Sequence, residues 1–174
     1  NKDNIRLREI LSLQQSSNND NISAAVISRK TGGWWRQIIL NKGSKDGVEI
    51  GSTVTGPGGL LGRVNNTSLF TSSVTLLTSP ESKLGVWVDR SQTNGVLVGS
   101  GDDYPSLILY SKDADIKVGD FVSSSPASSL LPPNIPIGIV QSIDKTLQSK
   151  KTAKISLLAK PNVIDWVQIL RENN

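Results

Sequence analysis

The stretch GSTVTGPGGLLGRV, residues 51–64, contains five glycines and one proline in fourteen positions. A glycine-rich loop can hold a phosphate, or it can let the chain turn between two strands. A dinucleotide-binding loop needs a helix directly after it, because the helix N-terminal amides hold the pyrophosphate. Here the apolar segment LLGRV has the character of a strand and runs into the turn signal Asn65-Asn66. The stretch therefore predicts a turn between two β-strands.

The pattern of short strands continues on both sides of this turn. Runs rich in Val, Ile, Leu, Thr and Trp alternate with Gly, Asn, Asp, Ser and Pro, as in an all-β sandwich or barrel. The dipeptide Asn94-Gly95 predicts a two-residue hairpin turn, because a type I′ turn needs positive φ at both central positions. We expect strands at residues 22–29, 35–41, 52–56, 60–65, 73–78, 84–90, 95–99, 106–111, 120–124, 137–143, 152–158 and 166–170.

Two segments of the chain resemble each other, which suggests two related domains. Residues 43–64 and 117–140 each contain Val close to Gly, a short strand, a loop rich in Gly, Pro or Ser, and an apolar strand with Gly-x-Val. The expected fold class is all-β, with two small six-stranded barrels preceded by a short helix. We expect the first barrel domain to comprise residues 22–70 and 144–172, and the second to be inserted at 71–143. Domains this small bury little surface alone, so contact between them should stabilise both.

The N-terminal segment is the one stretch with a helical pattern. In NKDNIRLREILSLQQ, residues 1–15, Leu7, Ile10 and Leu11 form an apolar stripe, as at the end of an amphipathic or coiled-coil helix. The polar linker SSNNDN, residues 16–21, ends it. We expect these three side chains to mediate self-association; the alternative is a helix lying on the domain's own surface.

The composition excludes several kinds of chemistry. The chain has no cysteine and no histidine, which excludes zinc sites of the usual ligands, thiol nucleophiles and histidine-based triads. We expect no metal and no cofactor. The net charge is +4 and the basic residues are scattered, which argues against nucleic-acid binding. Because methionine is absent and no apolar run approaches the roughly 20 residues that span a bilayer, we expect any membrane anchor to lie in a segment outside this chain.

Two regions are candidates for contact with a protein partner. Trp34 and Trp35 follow two glycines, and neighbouring side chains on a strand face opposite ways, so one indole could remain exposed as an anchor. The alternative places both under loops, and Trp87 and Trp166 are expected in the core. The full set of candidates is Trp34, Trp35, Arg36 and, in the loop 123–135, Ser125, Pro126, Leu130 and Leu131.

A series of short motifs resembles one known family. The motifs are Val26-Ile27-Ser28-Arg29, Gly59-Leu60-Leu61-Gly62-Arg63-Val64, Ser73-Val74-Thr75-Leu76-Leu77-Thr78, Asn94-Gly95-Val96-Leu97-Val98-Gly99, Gly119-Asp120-Phe121-Val122 and Pro136-Ile137-Gly138-Ile139-Val140. In this order and spacing, residues 22–143 resemble the extracytoplasmic region of the rod shape-determining MreC family. One departure is Ser124-Ser125-Pro126, where the family usually has Thr-Ser-Gly.

The resemblance implies a non-enzymatic scaffold of the bacterial cell-elongation machinery. It implies two β-barrels that follow a membrane-anchored coiled coil and face the periplasm. The implied partners are a class B penicillin-binding transpeptidase, MreD, RodA, the actin-like MreB and further copies of the chain, as a dimer or filament. Open strand edges would offer one route to self-association. Two alternatives stay open: a hydrolase on a chymotrypsin-like double barrel, which the absence of histidine disfavours, and a glycan-binding β-module.

Overall fold

The computed structural model describes residues 21–30, 36–110, 114–127, 131–144 and 151–170. They form twelve β-strands arranged in two closed barrels of six strands each. The expected all-β class with two small barrels is confirmed, and each expected strand overlaps an observed one. The helix expected at residues 1–15 lies outside the described residues.

The first barrel contains five strands from the first half of the chain and one from its far end. Neighbouring strands are antiparallel. Alternation of buried and partly exposed positions along Ser72–Leu76 is typical of strands with one face on a core. Around the barrel the order is β1 (Ile22–Lys30), β12 (Trp166–Leu170), β3 (Thr53–Gly56), β4 (Gly59–Thr67), β5 (Ser72–Leu76) and β2 (Gln37–Leu40).

The second barrel contains the strands between β5 and β12. Around it the order is β10 (Pro136–Asp144), β11 (Lys151–Leu157), β8 (Ser106–Leu109), β7 (Thr93–Val98), β6 (Lys83–Val88) and β9 (Phe121–Ser124). The expected domain boundaries therefore shift at two places. Residues 72–76 pair within the first barrel and residues 151–157 within the second, whereas the pattern of the sequence had placed each in the other domain.

The two barrels repeat one topology. The cyclic order β3, β4, β5, β2, β1, β12 matches β9, β10, β11, β8, β7, β6 strand for strand. The backbone N–H of Gly51 donates to Val64 at 2.8 Å, and that of Gly119 donates to Val140 at 2.9 Å. Both glycines have positive φ, 93° and 95°. The similarity of residues 43–64 and 117–140 in the sequence thus corresponds to the same structural unit in each barrel.

The hairpin turn expected at Asn94-Gly95 is wrong by several residues. Both residues lie inside β7, where Asn94 pairs with Trp87, and the turn falls at residues 89–92 with positive φ at Gln92. Gly95 meets a different need, since a Cβ there would lie 2.6 Å from Leu109 Cδ2. The Asn-Gly dipeptide misled the prediction because close packing, and not a turn, requires a glycine at this position.

The glycine loop of residues 56–59 lies at the junction between the barrels. A Cβ on Gly59 would lie 2.1 Å from the carbonyl oxygen of Pro136, which belongs to the second barrel. Directly after it, Leu60 is fully buried in the core of the second barrel, although its strand belongs to the first. The loop is therefore a turn between two strands, as expected, and it also makes a close contact between the two domains.

Barrel closure removes one expected route to self-association. Within the described ranges, every strand is hydrogen-bonded to a neighbour on both sides. A closed barrel has no free edge on which another chain could add a strand. The expectation of open edges is therefore wrong for the strands that the structure describes, and exposed side chains become the candidates for contact in this part of the chain.

Candidate protein-binding surface

The structure describes four of the candidate contact residues. Arg36, Ser125, Pro126 and Leu131 lie within the described ranges. Outside those ranges lie Trp34, Trp35 and Leu130, together with the helix residues Leu7, Ile10 and Leu11.

Arg36 bridges the two barrels. Its side chain is only 11% exposed, and its Nη1 donates to Asp103 Oδ1 at 2.8 Å, in the loop between β7 and β8. Its carbonyl oxygen accepts a hydrogen bond from the N–H of Leu76 at 3.1 Å. Beside it lies a cleft of about 160 Å³ at the barrel junction, with Tyr104 and Lys160 in its wall. In this structure Arg36 is thus an interdomain contact.

The described residues of the loop 123–135 are partly buried and partly exposed. Ser125 is 2% exposed and its Oγ donates to Asn94 Oδ1, while Leu131 is 5% exposed in the core of the second barrel. Ser124 Oγ donates to the carbonyl oxygen of Pro132 at 2.6 Å. Of the candidates in this loop that the structure describes, only Pro126 is exposed. The inward packing of the others conflicts with the exposed role expected from a Ser- and Pro-rich loop.

An exposed apolar face lies on β1 and β12 of the first barrel. Trp166, expected in the core, is 57% exposed, because Val167 and Ile169 take the inward positions of β12. Trp166 pairs with Ala25, and Ile27 lies two residues further along β1 and is 57% exposed. We call Ile27 and Trp166 the Trp166 face. Sequence reasoning missed it because the inward or outward phase of a short terminal strand depends on its pairing.

A second exposed apolar pair lies on the second barrel. Val118 is 65% exposed and Phe121 is 55% exposed, on either side of Gly119-Asp120. We call Val118 and Phe121 the Phe121 face. The sequence showed these two residues only as part of a strand and its preceding turn, which gave no sign of their exposure.

Ion pairs fix the segment that carries the Phe121 face. Arg90 Nε donates to Asp120 Oδ1 at 2.9 Å, and Arg90 Nη1 donates to Asp115 Oδ2 at 3.0 Å. The hydrogen bonds from Arg90 lower the pKa of both carboxyl groups, and they raise the pKa of Arg90 above its ordinary value. The N–H of Lys117 also donates to Asp120 Oδ2, at 2.8 Å. The two apolar side chains therefore project from a backbone that is held at several points.

A third exposed pair occupies the turn between β4 and β5. Leu69 is 56% exposed and Phe70 is 58% exposed, and Lys45 Nζ lies 5.2 Å from the centroid of the Phe70 ring.

In the part of the chain that the structure describes, no helix is long and apolar enough to cross a bilayer.

Comparison with known proteins identifies the family. A family model described as "Rod shape-determining protein MreC, barrel core" matches residues 26–171. The cell shape-determining protein MreC of Caulobacter vibrioides is 30% identical over 168 residues, which cover 96% of this chain and 47% of that protein. MreC of Listeria monocytogenes is 33% identical over 149 residues, covering 82% of this chain and 50% of the relative. The chain spans about half the length of these curated relatives.

Solved structures show the same double-barrel fold. A structure described as MreC superposes with a TM-score of 0.83 at 28% identity and covers 98% of both chains. MreC from Pseudomonas aeruginosa superposes with a TM-score of 0.78 at 27% identity, over 87% of this chain and 99% of that one. The names of these relatives describe shape determination and not an enzyme activity. The match to the barrel-core family model, together with the motifs and these relatives, shows that the chain belongs to the MreC family of rod shape-determining proteins.

Proposed function

We propose that this chain is a non-enzymatic scaffold of the bacterial cell-elongation machinery. In this proposal it faces the periplasm from the inner membrane, binds a class B penicillin-binding transpeptidase and associates with further copies of itself. MreD, RodA and, across the membrane, MreB complete the proposed partners of the whole protein. A scaffold acts through its surface, so the described side chains must include apolar anchors that a partner can cover.

Two structural relatives support the proposed location and partner. One is described as a complex between penicillin-binding protein PBP2 and MreC from Helicobacter pylori, with a TM-score of 0.68 at 14% identity. Another is described as the major periplasmic domain from the cell shape-determining filament MreC, with a TM-score of 0.72 at 23% identity. At these identities the likeness is one of fold, and we extend the partner and the compartment to this chain as part of the proposal.

The observation that carries the proposal is the pair of exposed apolar faces, one on each barrel. Large apolar side chains that remain exposed next to one another mark contact sites more often than isolated ones. We assign the Phe121 face to the transpeptidase, because the Arg90 ion pairs hold it in one orientation before binding. We assign the Trp166 face to self-association, because β1 comes next in the chain after the linker that ends the N-terminal segment, and the stripe of Leu7, Ile10 and Leu11 in that segment is expected to pair copies.

The test measures two interactions with the same set of variants. Surface plasmon resonance measures binding to the periplasmic domain of the transpeptidase, and analytical ultracentrifugation measures self-association. We expect the double variant V118S/F121S to weaken transpeptidase binding by at least about tenfold, since it removes two apolar anchors. The double variant I27S/W166S should lower self-association and leave transpeptidase binding unchanged.

The control is Leu69→Ser, which removes an equally exposed apolar side chain outside both faces. It should change neither measurement. The proposal fails if the unaltered chain does not bind the transpeptidase, or if both double variants behave like the control.

A further inference from the structure

On the outer face of β2, β5 and β4 in the first barrel, uncharged polar side chains form a continuous group, with Arg63 of β4 beside it. A shallow groove of about 660 Å³ runs across this face. Eight of the ten residues around this groove have an amide or hydroxyl side chain, and the other two are Ile39 and Glu81. We call it the amide groove, after Gln37, Asn65 and Asn66.

Strand pairing directs Ser73 and its neighbours across the strands to the outside of the barrel, whereas Ser72 is buried. Val74 is fully buried, so its neighbours Ser73 and Thr75 on β5 point outward. Ser73 pairs with Ile39 on β2 and with Asn66 on β4. The register shift between Val64 and Asn66 is a β-bulge, which makes Asn65 an extra residue on this side.

Asn65 is held across the groove by its neighbours. Its Nδ2 donates to Thr75 Oγ1 at 2.6 Å, and its Oδ1 accepts a hydrogen bond from Ser73 Oγ. An amide has two N–H donors and two acceptor lone pairs, so Asn65 keeps one donor and one acceptor site for a ligand. Asn66 is exposed beside it. The groove thus presents oriented donors and acceptors, and Glu81 is the one charged side chain among the described residues that line it.

The matching face of the second barrel shows that an uncharged side chain at the position of Ser73 is not a property of the topology. The pair Val64–Val74 corresponds to Val140–Ile155, so Ser73 corresponds to Lys154. Lys154 Nζ lies 3.9 Å from Asp102 Oδ2, an ordinary surface ion pair. At this pair of equivalent positions, the second barrel therefore carries a charged side chain and the first barrel a hydroxyl group.

From this chemistry we propose that the amide groove binds a neutral oligosaccharide. Amides and hydroxyls match the hydroxyl and acetamido groups of a sugar, and Ile39 offers an apolar floor for the C–H face of a ring. A phosphate or nucleic acid would need basic side chains, and no residue of the described part of the chain that lines the groove is basic. A protein hot spot would favour a large aromatic or arginine anchor, and the described residues that line the groove include neither. This inference does not depend on the proposed scaffold function.

The test is a titration of the ¹⁵N-labelled chain with tetra-N-acetylchitotetraose and, separately, with maltotetraose, which lacks acetamido groups. We expect saturable shifts of the side-chain NH₂ signals of Gln37, Asn65 and Asn66 with at least one sugar. Asn66→Lys places a long side chain with a charged ammonium group in the groove and should weaken that binding at least about tenfold. The matched control is Ser142→Lys at the corresponding position of the second barrel, which should bind like the unaltered chain.

The two sugars and the two variants make every outcome decisive. Shifts with either sugar that N66K abolishes support the proposal, and the preferred sugar tells whether acetamido groups are recognised. Absence of shifts with both sugars, or equal affinity in N66K, overturns it. If N66K weakens only transpeptidase binding or self-association, the groove is a protein contact and the sugar assignment is wrong.

Discussion

Ser72 is a buried residue whose hydroxyl has no hydrogen-bond partner. It is 2% exposed on β5, and its Oγ is unpaired. The corresponding residue of the second barrel is Ala153, since Leu40 opposite Ser72 matches Leu107 opposite Ala153. A buried polar group without a partner costs about 1–3 kcal/mol.

We therefore expect Ser72→Ala to raise the free energy of unfolding by about 1 kcal/mol. Urea denaturation followed by circular dichroism measures the change. Ser73→Ala is the control, because it removes the hydrogen bond to Asn65 on the outside of the same strand and should not stabilise the protein. A loss of stability in S72A would contradict the expectation.

Asp120 makes the stability of the second barrel depend on pH. Hydrogen bonds from Arg90 and from the N–H of Lys117 hold its pKa below the ordinary 3.8. A carboxyl whose folded pKa is depressed contributes stability that is present above its unfolded pKa and is lost as pH falls through the folded value. The melting temperature should fall as pH drops below about 4, and Asp120→Asn should flatten that fall. Calorimetry between pH 2 and about 7 measures it, and parallel curves for the two proteins would contradict this origin.

Among the structural elements, the turn between β3 and β4 contains a glycine that combines positive φ with a close contact to the other barrel. Gly59 has φ of +150°, and a Cβ there would meet the Pro136 carbonyl oxygen at 2.1 Å. Gly119 has φ of +95°, and a Cβ there would meet nothing within 4 Å. The two glycines therefore separate backbone strain from steric collision.

We expect Gly119→Ala to cost about 1–2 kcal/mol from backbone strain alone. Gly59→Ala should cost about 3 kcal/mol or more, because two domains must also move apart. Chemical denaturation of both variants measures the difference. Equal costs would mean that the two barrels can move apart at this contact without a loss of stability.

Strand positions could be predicted from the sequence because they depend on local pattern. The expected strand 52–56 and the observed Thr53–Gly56 agree for this reason. Which barrel a strand joins depends on distant pairing, so Ser72–Leu76 was assigned to the other domain. The exposed faces were missed for the same reason, since the outward phase of Trp166 is set by its partner strands. The Arg90 ion pairs join residues 25 and 30 positions apart, a distance that no local motif reports.

At the scale of the whole molecule, the two cores are linked through one strand. Leu60 and Leu61 are neighbours on β4, yet Leu60 packs in the second core and Leu61 in the first. Trp87 lies in the second barrel and Trp166 in the first, so variants that retain one tryptophan report on each barrel separately.

We expect Leu60→Ala and its matched variant Leu61→Ala each to lower the free energy of unfolding by about 2–5 kcal/mol. Because the strand is shared, each variant should shift the Trp87 and Trp166 transitions together in guanidinium chloride. Two separate midpoints, with each variant moving only one of them, would show that the barrels unfold independently.

The position of β12 has a consequence for how the protein is made. The second barrel is complete once residue 157 has left the ribosome, but the first lacks its sixth strand until residues 166–170 emerge. During synthesis the edges of β1 and β3 that pair with β12 therefore remain unpaired for a time. Their free backbone groups favour mispairing between nascent chains. We expect the second barrel to fold first, with Leu60 of β4 packed in its core. The first barrel, although most of its strands are made earlier, then closes last, when β12 pairs with β1 and β3.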